Sequence, residues 1–178
     1  MENIEVEIKS FITKEEYDEL VKFFRKNAEF INEDNQTTYY FDCEQDLRIQ
    51  KNDFFSKICL KKGELHDQYR EEIEVKFDKE DFEYLERLFL NLGYNIQIKW
   101  FRKRHSFKWA DIDVMLDYTN GYGHIIELES KSSEENKGII LKKLKERLDS
   151  LNIKLTPREE FEKKFEHYKN NWKELIKE

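Results

Sequence analysis

The sequence predicts an α+β protein built on a large antiparallel β-sheet or barrel, and three observations carry that prediction. Segments that alternate apolar and polar residues recur along the chain, about eight in all. Most are joined by short turn-like pieces such as "KKGELHDQ" and "DYTNGYGH", and short connections favour antiparallel pairing. Stretches of helical periodicity break the series once early and once midway, then end it.

The elements follow in order. "IEVEIKSFI" sets Ile4, Val6 and Ile8 on one face of a strand and Glu5, Glu7 and Lys9 on the other. "TKEEYDELVKFFRKN" opens a helix with Thr13 and Glu16 at capping-box spacing, and Tyr17, Leu20, Val21 and Phe24 share a face. Four strands come next: "TTYYFD", "DLRIQK", "FSKICLKK" and "YREEIEVKF". "DKEDFEYLERLFLNLGY" is helical through Phe82, Leu85, Leu88 and Phe89, with Gly93 as its C-terminal cap. The strands "NIQIKWFRKRHSF", "ADIDVMLDYT", which Asp111 helps to start, and "GHIIELESK" complete the sheet. "SEENKGIILKKLKERLDSLN" is amphipathic through Ile140, Leu141, Leu144 and Leu148. At "TPREEF" Thr156 can cap a last helix, with Pro157 in the first helical position and Glu159 completing the box. Phe161, Phe165 and Tyr168 then recur at helical spacing, which reads as a packed terminal helix rather than a lid.

Composition removes several classes of function. The 178 residues suit a single domain, with its C-terminal helices from about residue 134. Charged residues reach 40%, yet aromatics at 15% are too many for a disordered chain. A net charge of -7 argues against general nucleic-acid binding. No long apolar run and no signal-peptide core point to a membrane. Cys43 and Cys59 form neither a metal-ligand spacing nor a close pair, which suits a reducing, cytoplasmic setting. His66, His105, His124 and His167 are scattered and read as surface or loop residues. Tyr39, Tyr40, Phe54 and Phe55 read as core or rim. Nothing in the pattern sets an oligomeric state.

The charged faces are harder to assign to solvent. The pattern E-x-E-x-K occurs three times: Glu5, Glu7, Lys9; Glu72, Glu74, Lys76; and Glu127, Glu129, Lys131. Arg102 and Arg104 share a face, Arg48 and Lys61 lie on other strands, Arg70 precedes Glu72 by two, and Asp113 and Asp117 pair on one face. Either these faces meet water around an apolar core, or the sheet closes and they line its lumen while helices cover the apolar outside. A lumen lined by both signs is costly unless the charges pair with one another or bind something, and that something would need anionic groups and a cation. A polyphosphate with a divalent metal meets both needs.

At this point the residues resemble a known family, the CYTH superfamily or triphosphate tunnel metalloenzymes. "EVEIK" is similar to its opening E-x-E-x-K through Glu5, Glu7 and Lys9. "LRIQ" resembles the L-R-x-R strand, with Arg48 matching and Gln50 in place of the second Arg. "CLKKG" resembles T-x-K through Lys61, and "REEIEV" resembles R-x-E-x-E through Arg70, Glu72 and Glu74. "FRKRHSF" resembles K-x-R, with Arg102 in the Lys place and Arg104 matching. "LDYTNGYGHIIELE" matches a further family strand pair through Asp117, Gly123, Glu127 and Glu129.

The resemblance implies a closed eight-stranded antiparallel tunnel, open at both ends, that holds a triphosphate-bearing small molecule and depends on Mg²⁺ or Mn²⁺. An RNA 5′-triphosphate end belongs to the same ligand class. By that resemblance Glu5, Glu7, Glu127 and Glu129 hold metal, with Asp117 and Glu72 or Glu74 assisting. Lys9, Arg48, Lys61, Arg70, Arg102 and Arg104 clamp phosphates, while Lys76 and Lys131 read as surface. The implied activity is hydrolysis of tripolyphosphate, nucleoside or thiamine triphosphate. A class IV-type adenylyl cyclase is the alternative, and a non-catalytic polyphosphate-binding module the second.

Overall fold

Antiparallel pairing carries the sheet round until it closes on itself. The computed structural model describes residues 4–63 and 68–177. His66 and the centre of the "KKGELHDQ" turn lie outside the described residues. Eight strands form the barrel: β1 (Ile4–Ile12), β2 (Glu29–Phe41), β3 (Asp46–Lys51), β4 (Ser56–Lys61), β5 (Tyr69–Phe77), β6 (Ile96–Trp109), β7 (Ile112–Thr119) and β8 (Gly123–Ser132). Their order around the ring is β1-β5-β4-β3-β2-β6-β7-β8. Strand β1 therefore lies between β5 and β8, and the three E-x-E-x-K strands are neighbours. The β1–β8 register sets Glu5 opposite Lys131, Glu7 opposite Glu129 and Lys9 opposite Glu127.

The period-two pattern settles the architecture. Glu5, Glu7 and Lys9 point into the lumen, while Val6 and Ile8 point out and are buried under helices. Helix α1 (Lys14–Asn27) packs Tyr17, Leu20 and Phe24 on the wall with Phe107, Val114 and Leu128. Helix α3 (Lys137–Ser150) joins the same cluster through Leu144 and Leu148. Helix α2 (Phe82–Asn91) covers Phe41, Leu47 and Ile49 through Phe82 and Leu85. The apolar core thus lies outside the barrel, between wall and helices.

Local chemistry accounts for the element ends. The Thr13 side chain accepts from the Glu16 amide and the Glu16 carboxylate accepts from the Thr13 amide, so the capping box is formed. Helix α2 ends in a left-handed Gly93 (φ 93°). The Gly93 amide donates to Leu90 and the Tyr94 amide to Phe89, and the Phe89 and Tyr94 rings meet at 5.9 Å.

Three expectations need correction. Strand β2 begins at Glu29, well before "TTYYFD", because its polar stretch pairs throughout with β6. Asp111 lies in the turn before β7, where it meets Lys143. Helix α4 (Arg158–Leu175) starts from Pro157 with no side-chain cap. Thr156 is engaged elsewhere: its hydroxyl accepts from the Phe11 amide and its own amide donates to the Ser10 hydroxyl, both at 3.0 Å. The paired β1–β5 register spans Ile4 to Val6, so the segment before α4 takes over further along β1.

Helix α4 also changes the tunnel. Phe161 and Tyr168 pack with Trp100, Tyr122 and Ile125 at one end of the barrel. The Phe11 and Phe161 rings stack at 4.2 Å, and a space of about 70 Å³ is lined jointly by Phe161, Phe165 and the lumen residues Lys9, Arg48 and Arg102. The terminal helix is packed, as expected, but it covers this mouth, so the expectation of two open ends does not hold.

Candidate active site

The lumen encloses a cavity of about 350 Å³, lined almost wholly by charge. Its wall includes Glu5, Glu7, Lys9, Arg48, Lys61, Glu72, Glu74, Arg102, Arg104, Glu127 and Glu129, drawn from six strands. Arg70 and Asp117 line the covered end. Closure brings the four glutamates assigned to metal and five of the six cations assigned to phosphate around the cavity, although 124 positions separate Glu5 from Glu129.

Within it the charges are sorted. Carboxylate oxygens of Glu5, Glu7 and Glu129 lie within 4.8 Å of one another. Glu7 is 5% exposed and meets Lys9 at 3.0 Å and Arg70 at 3.1 Å. Lys61 meets Glu5 at 2.8 Å and Glu72 at 3.1 Å. Glu127 faces Lys9 at 3.3 Å and Arg104 at 3.5 Å rather than the three-carboxylate group. Asp117 is bound to Arg104 at 2.7 Å and Arg102 at 3.0 Å, again apart from that group. Glu74 meets Lys57, and Lys76 is exposed beside them.

Crowding splits the acidities. Burial pushes Glu5 up to about 9, helped by its hydrogen bond with Glu72 and opposed by Lys61. Burial and then the Glu127 charge raise Glu129 to about 7. Burial acts on Glu7 too, but Lys9, Lys61 and Arg70 overcome it and hold Glu7 well below the usual carboxylate range. Lys9 and Arg104 likewise outweigh burial at Glu127, which falls to about 2. The buried Cys59 thiol donates to Glu72 at 3.1 Å and is pushed up to about 12, so it stays protonated.

These carboxylates fit a hard divalent cation. Three oxygens converge, Glu7 Oε2 is buried without a hydrogen-bond partner, and two of the three acids hold protons above their ordinary range. A cation would pair with Glu7 Oε2, which has only Lys61 at 3.7 Å, and relieve the repulsion.

Sequence reasoning missed several lumen residues. Asp46 binds both Arg48 and Arg70. Gln36 accepts from Arg102 at 2.9 Å and donates to the buried Asp34. Lys57 lines the cavity. Asp46 and Lys57 were detectable, since each lies two or four residues from a selected cation on its strand. Asp34 and Gln36 had no such signal: Glu33 and Asn35, which alternate with them, are exposed, so no apolar face marks that part of the strand. His105 departs from expectation in the other direction. It is buried under α1, between the Tyr17 hydroxyl at 2.9 Å and Glu33 at 3.0 Å.

An eight-stranded barrel with a carboxylate cluster and a ring of Arg and Lys in its lumen defines a class: a container for a polyanion and its cation. The chain belongs to the CYTH family, whose domain model matches residues 3–165. It is 34% identical over 163 residues to a Methanocaldococcus jannaschii protein named "Putative adenylate cyclase MJ0240", covering 84% of this chain and 90% of that one. A conserved hypothetical protein from Pyrococcus furiosus superposes with a TM-score of 0.71 at 26% identity, over 86% of this chain and 96% of that one. The PH1819 protein from Pyrococcus horikoshii shares the fold with a TM-score of 0.74 at 24% identity, over 86% and 93%.

Proposed function

We propose that the chain is a divalent-metal-dependent hydrolase of triphosphates, whether inorganic tripolyphosphate, a nucleoside triphosphate or thiamine triphosphate. One observation carries the reading. The convergent carboxylates of Glu5, Glu7 and Glu129 open onto the same cavity as Lys9, Arg48, Lys61, Arg102 and Arg104. A pure anion receptor would gain nothing from three convergent acids at that point, one of them buried and two half-buried. Family membership supports the triphosphate and the metal dependence.

In this reading Glu5, Glu7 and Glu129 hold Mg²⁺ or Mn²⁺, with Glu127 alongside. Bound there, the ion supplies concentrated positive charge to the phosphate oxygens. Lys9, Arg48, Lys61, Arg70, Arg102 and Arg104 bind the chain of phosphates and offset the charge that develops during transfer. Asp117 keeps Arg102 and Arg104 aimed inward. Glu72 stays ionised against the pull of burial, through Glu5 and Lys61, which suits it to orient the attacking water as a hydrogen-bond acceptor rather than to keep its proton. Water adds to the terminal phosphorus, the bridging P–O bond breaks, and orthophosphate leaves. No helix among the described residues is long and apolar enough to cross a membrane, and both cysteines are free, which supports a cytoplasmic setting.

The name of the 34%-identical relative favours a second reading, in which ATP is cyclised and pyrophosphate leaves. Incubation with tripolyphosphate, ATP and thiamine triphosphate, with Mg²⁺, Mn²⁺ or EDTA, separates the two by product. Metal-dependent orthophosphate is expected. Cyclic AMP with pyrophosphate would replace the hydrolase by a cyclase, and tight binding without any product would reduce the chain to a binding module.

A further inference from the structure

Asp46 opens β3 and belongs to none of the motifs that marked the lumen. It lies two residues before Arg48, so the pleat turns both side chains inward. Its Oδ2 accepts from Arg48 Nη2 at 2.5 Å and from Arg70 Nη1 at 2.7 Å. The Asp46 side chain is 5% exposed, and its Oδ1 is buried with no hydrogen-bond partner. Arg48 and Arg70 stand on β3 and β5, with β4 between them. Two like charges drawn to one point repel, and the shared carboxylate offsets that repulsion. Arg70 is held from its other side by Glu7, and Arg48 lies over the Tyr40 ring at 4.8 Å. Each guanidinium is therefore aimed before any ligand arrives. Gln50 stands where the resemblance expects a second cation on this strand, so these two carry more of the anion binding here.

We propose that Asp46 is a positioning residue, which locks Arg48 and Arg70 in the geometry that receives a phosphate group at the covered end of the tunnel. This rests on the reading of the cavity as a triphosphate site. The role is distinct from two others that the same contacts allow. A competing anion would weaken binding, and a purely structural carboxylate would affect stability alone.

Asp46→Asn keeps the shape and removes the charge. Tripolyphosphate is the probe, with its dissociation constant read by calorimetry in EDTA and kcat and KM read by phosphate release in Mg²⁺. Mobile guanidiniums should weaken tripolyphosphate binding about ten- to a hundredfold. KM should rise with it, and the Mg²⁺ concentration for half-maximal activity should stay unchanged. In an Arg48→Gln, Arg70→Gln background the same substitution should have no further effect on binding. Unchanged or tighter binding, additive effects in that background, or a shifted Mg²⁺ midpoint would each overturn the proposal. Should Asp46→Asn not fold, Asp46→Ser leaves room for water around the two guanidiniums and carries the same test. Phosphate release by the wild type together with unaltered binding in the variant removes the positioning role and leaves the hydrolase standing. A wild type that neither binds nor cleaves tripolyphosphate, ATP or thiamine triphosphate removes both.

Discussion

Glu5 and Glu7 lie two residues apart on one strand, yet their surroundings drive them to opposite charge states. Glu7 is ionised among Lys9, Lys61 and Arg70, whereas Glu5 keeps its proton to about pH 9. Substitution should separate them. Glu5→Gln replaces a neutral acid by a neutral amide, so the melting temperature should hold or rise while metal-dependent phosphate release is lost. Glu7→Gln removes one carboxylate from each of Lys9, Lys61 and Arg70, which keep Glu127, Glu5 and Asp46, and should lower stability by about 1–3 kcal/mol, read by denaturant unfolding. The raised groups also set a pH dependence. Glu129 titrates at about 7 when folded, above its unfolded value of 4.5. The folded state then binds more protons than the unfolded one, so stability falls as pH rises from about 4.5 to 7, and Glu5 extends the fall towards 9. Melting curves in EDTA should show this decline, and saturating Mg²⁺ should flatten it. His105 and His124, both lowered by burial, pull the other way, so the test is a comparison: a Glu129→Gln variant with the same pH slope as the wild type in EDTA would contradict the assignment.

The elements show where local rules hold and where neighbours override them. Thr13 and Thr156 both precede a helix, with an acidic residue three positions on. Thr13 caps because its backbone and Glu16 have no competing partner. Thr156 does not, because the Phe11 amide of β1 recruits its hydroxyl. Thr156→Val should therefore leave a strand amide unsatisfied and cost about 1–3 kcal/mol in thermal or chemical unfolding. A loss confined to the helicity of α4 would instead indicate a conventional cap. Strand β2 was half-read for a related reason. Asp34 and Gln36 face a polar lumen while Glu33 and Asn35 face water, and period-two hydrophobicity cannot mark a strand that is polar on both sides.

At the level of the whole molecule, an inverted core determines what the tunnel can do. Most apolar side chains lie outside the wall, and the lumen is left to charge except at the end where Tyr40, Trp100 and Tyr122 meet α4. Helix α4 lays Phe161, Phe165 and Tyr168 on Trp100 and Tyr122, which leaves one mouth for entry and exit. A chain ending at Thr156 should expose this aromatic cluster, bind a hydrophobic dye and melt at lower temperature. A truncated chain that melts and binds dye like the full-length protein would show that α4 contributes no such cover.

Much of this was legible in the chain. The alternation of "IEVEIKSF" already separates a charged face from an apolar one, and the amphipathic helices already demand an apolar surface to cover. Glu5, Glu7, Lys9, Arg48, Lys61, Arg70, Arg102, Arg104, Glu127 and Glu129 could be selected because a strand writes its face at every second residue. What the chain could not specify is which charge meets which. Glu129 joins Glu5 and Glu7, while Asp117 turns to two arginines and Asp46 to two others, through the stagger of the closed barrel. That stagger arises from register between strands distant in sequence, as does the cover over one mouth. A local pattern fixes the direction of a side chain; its partners depend on where the rest of the barrel places theirs.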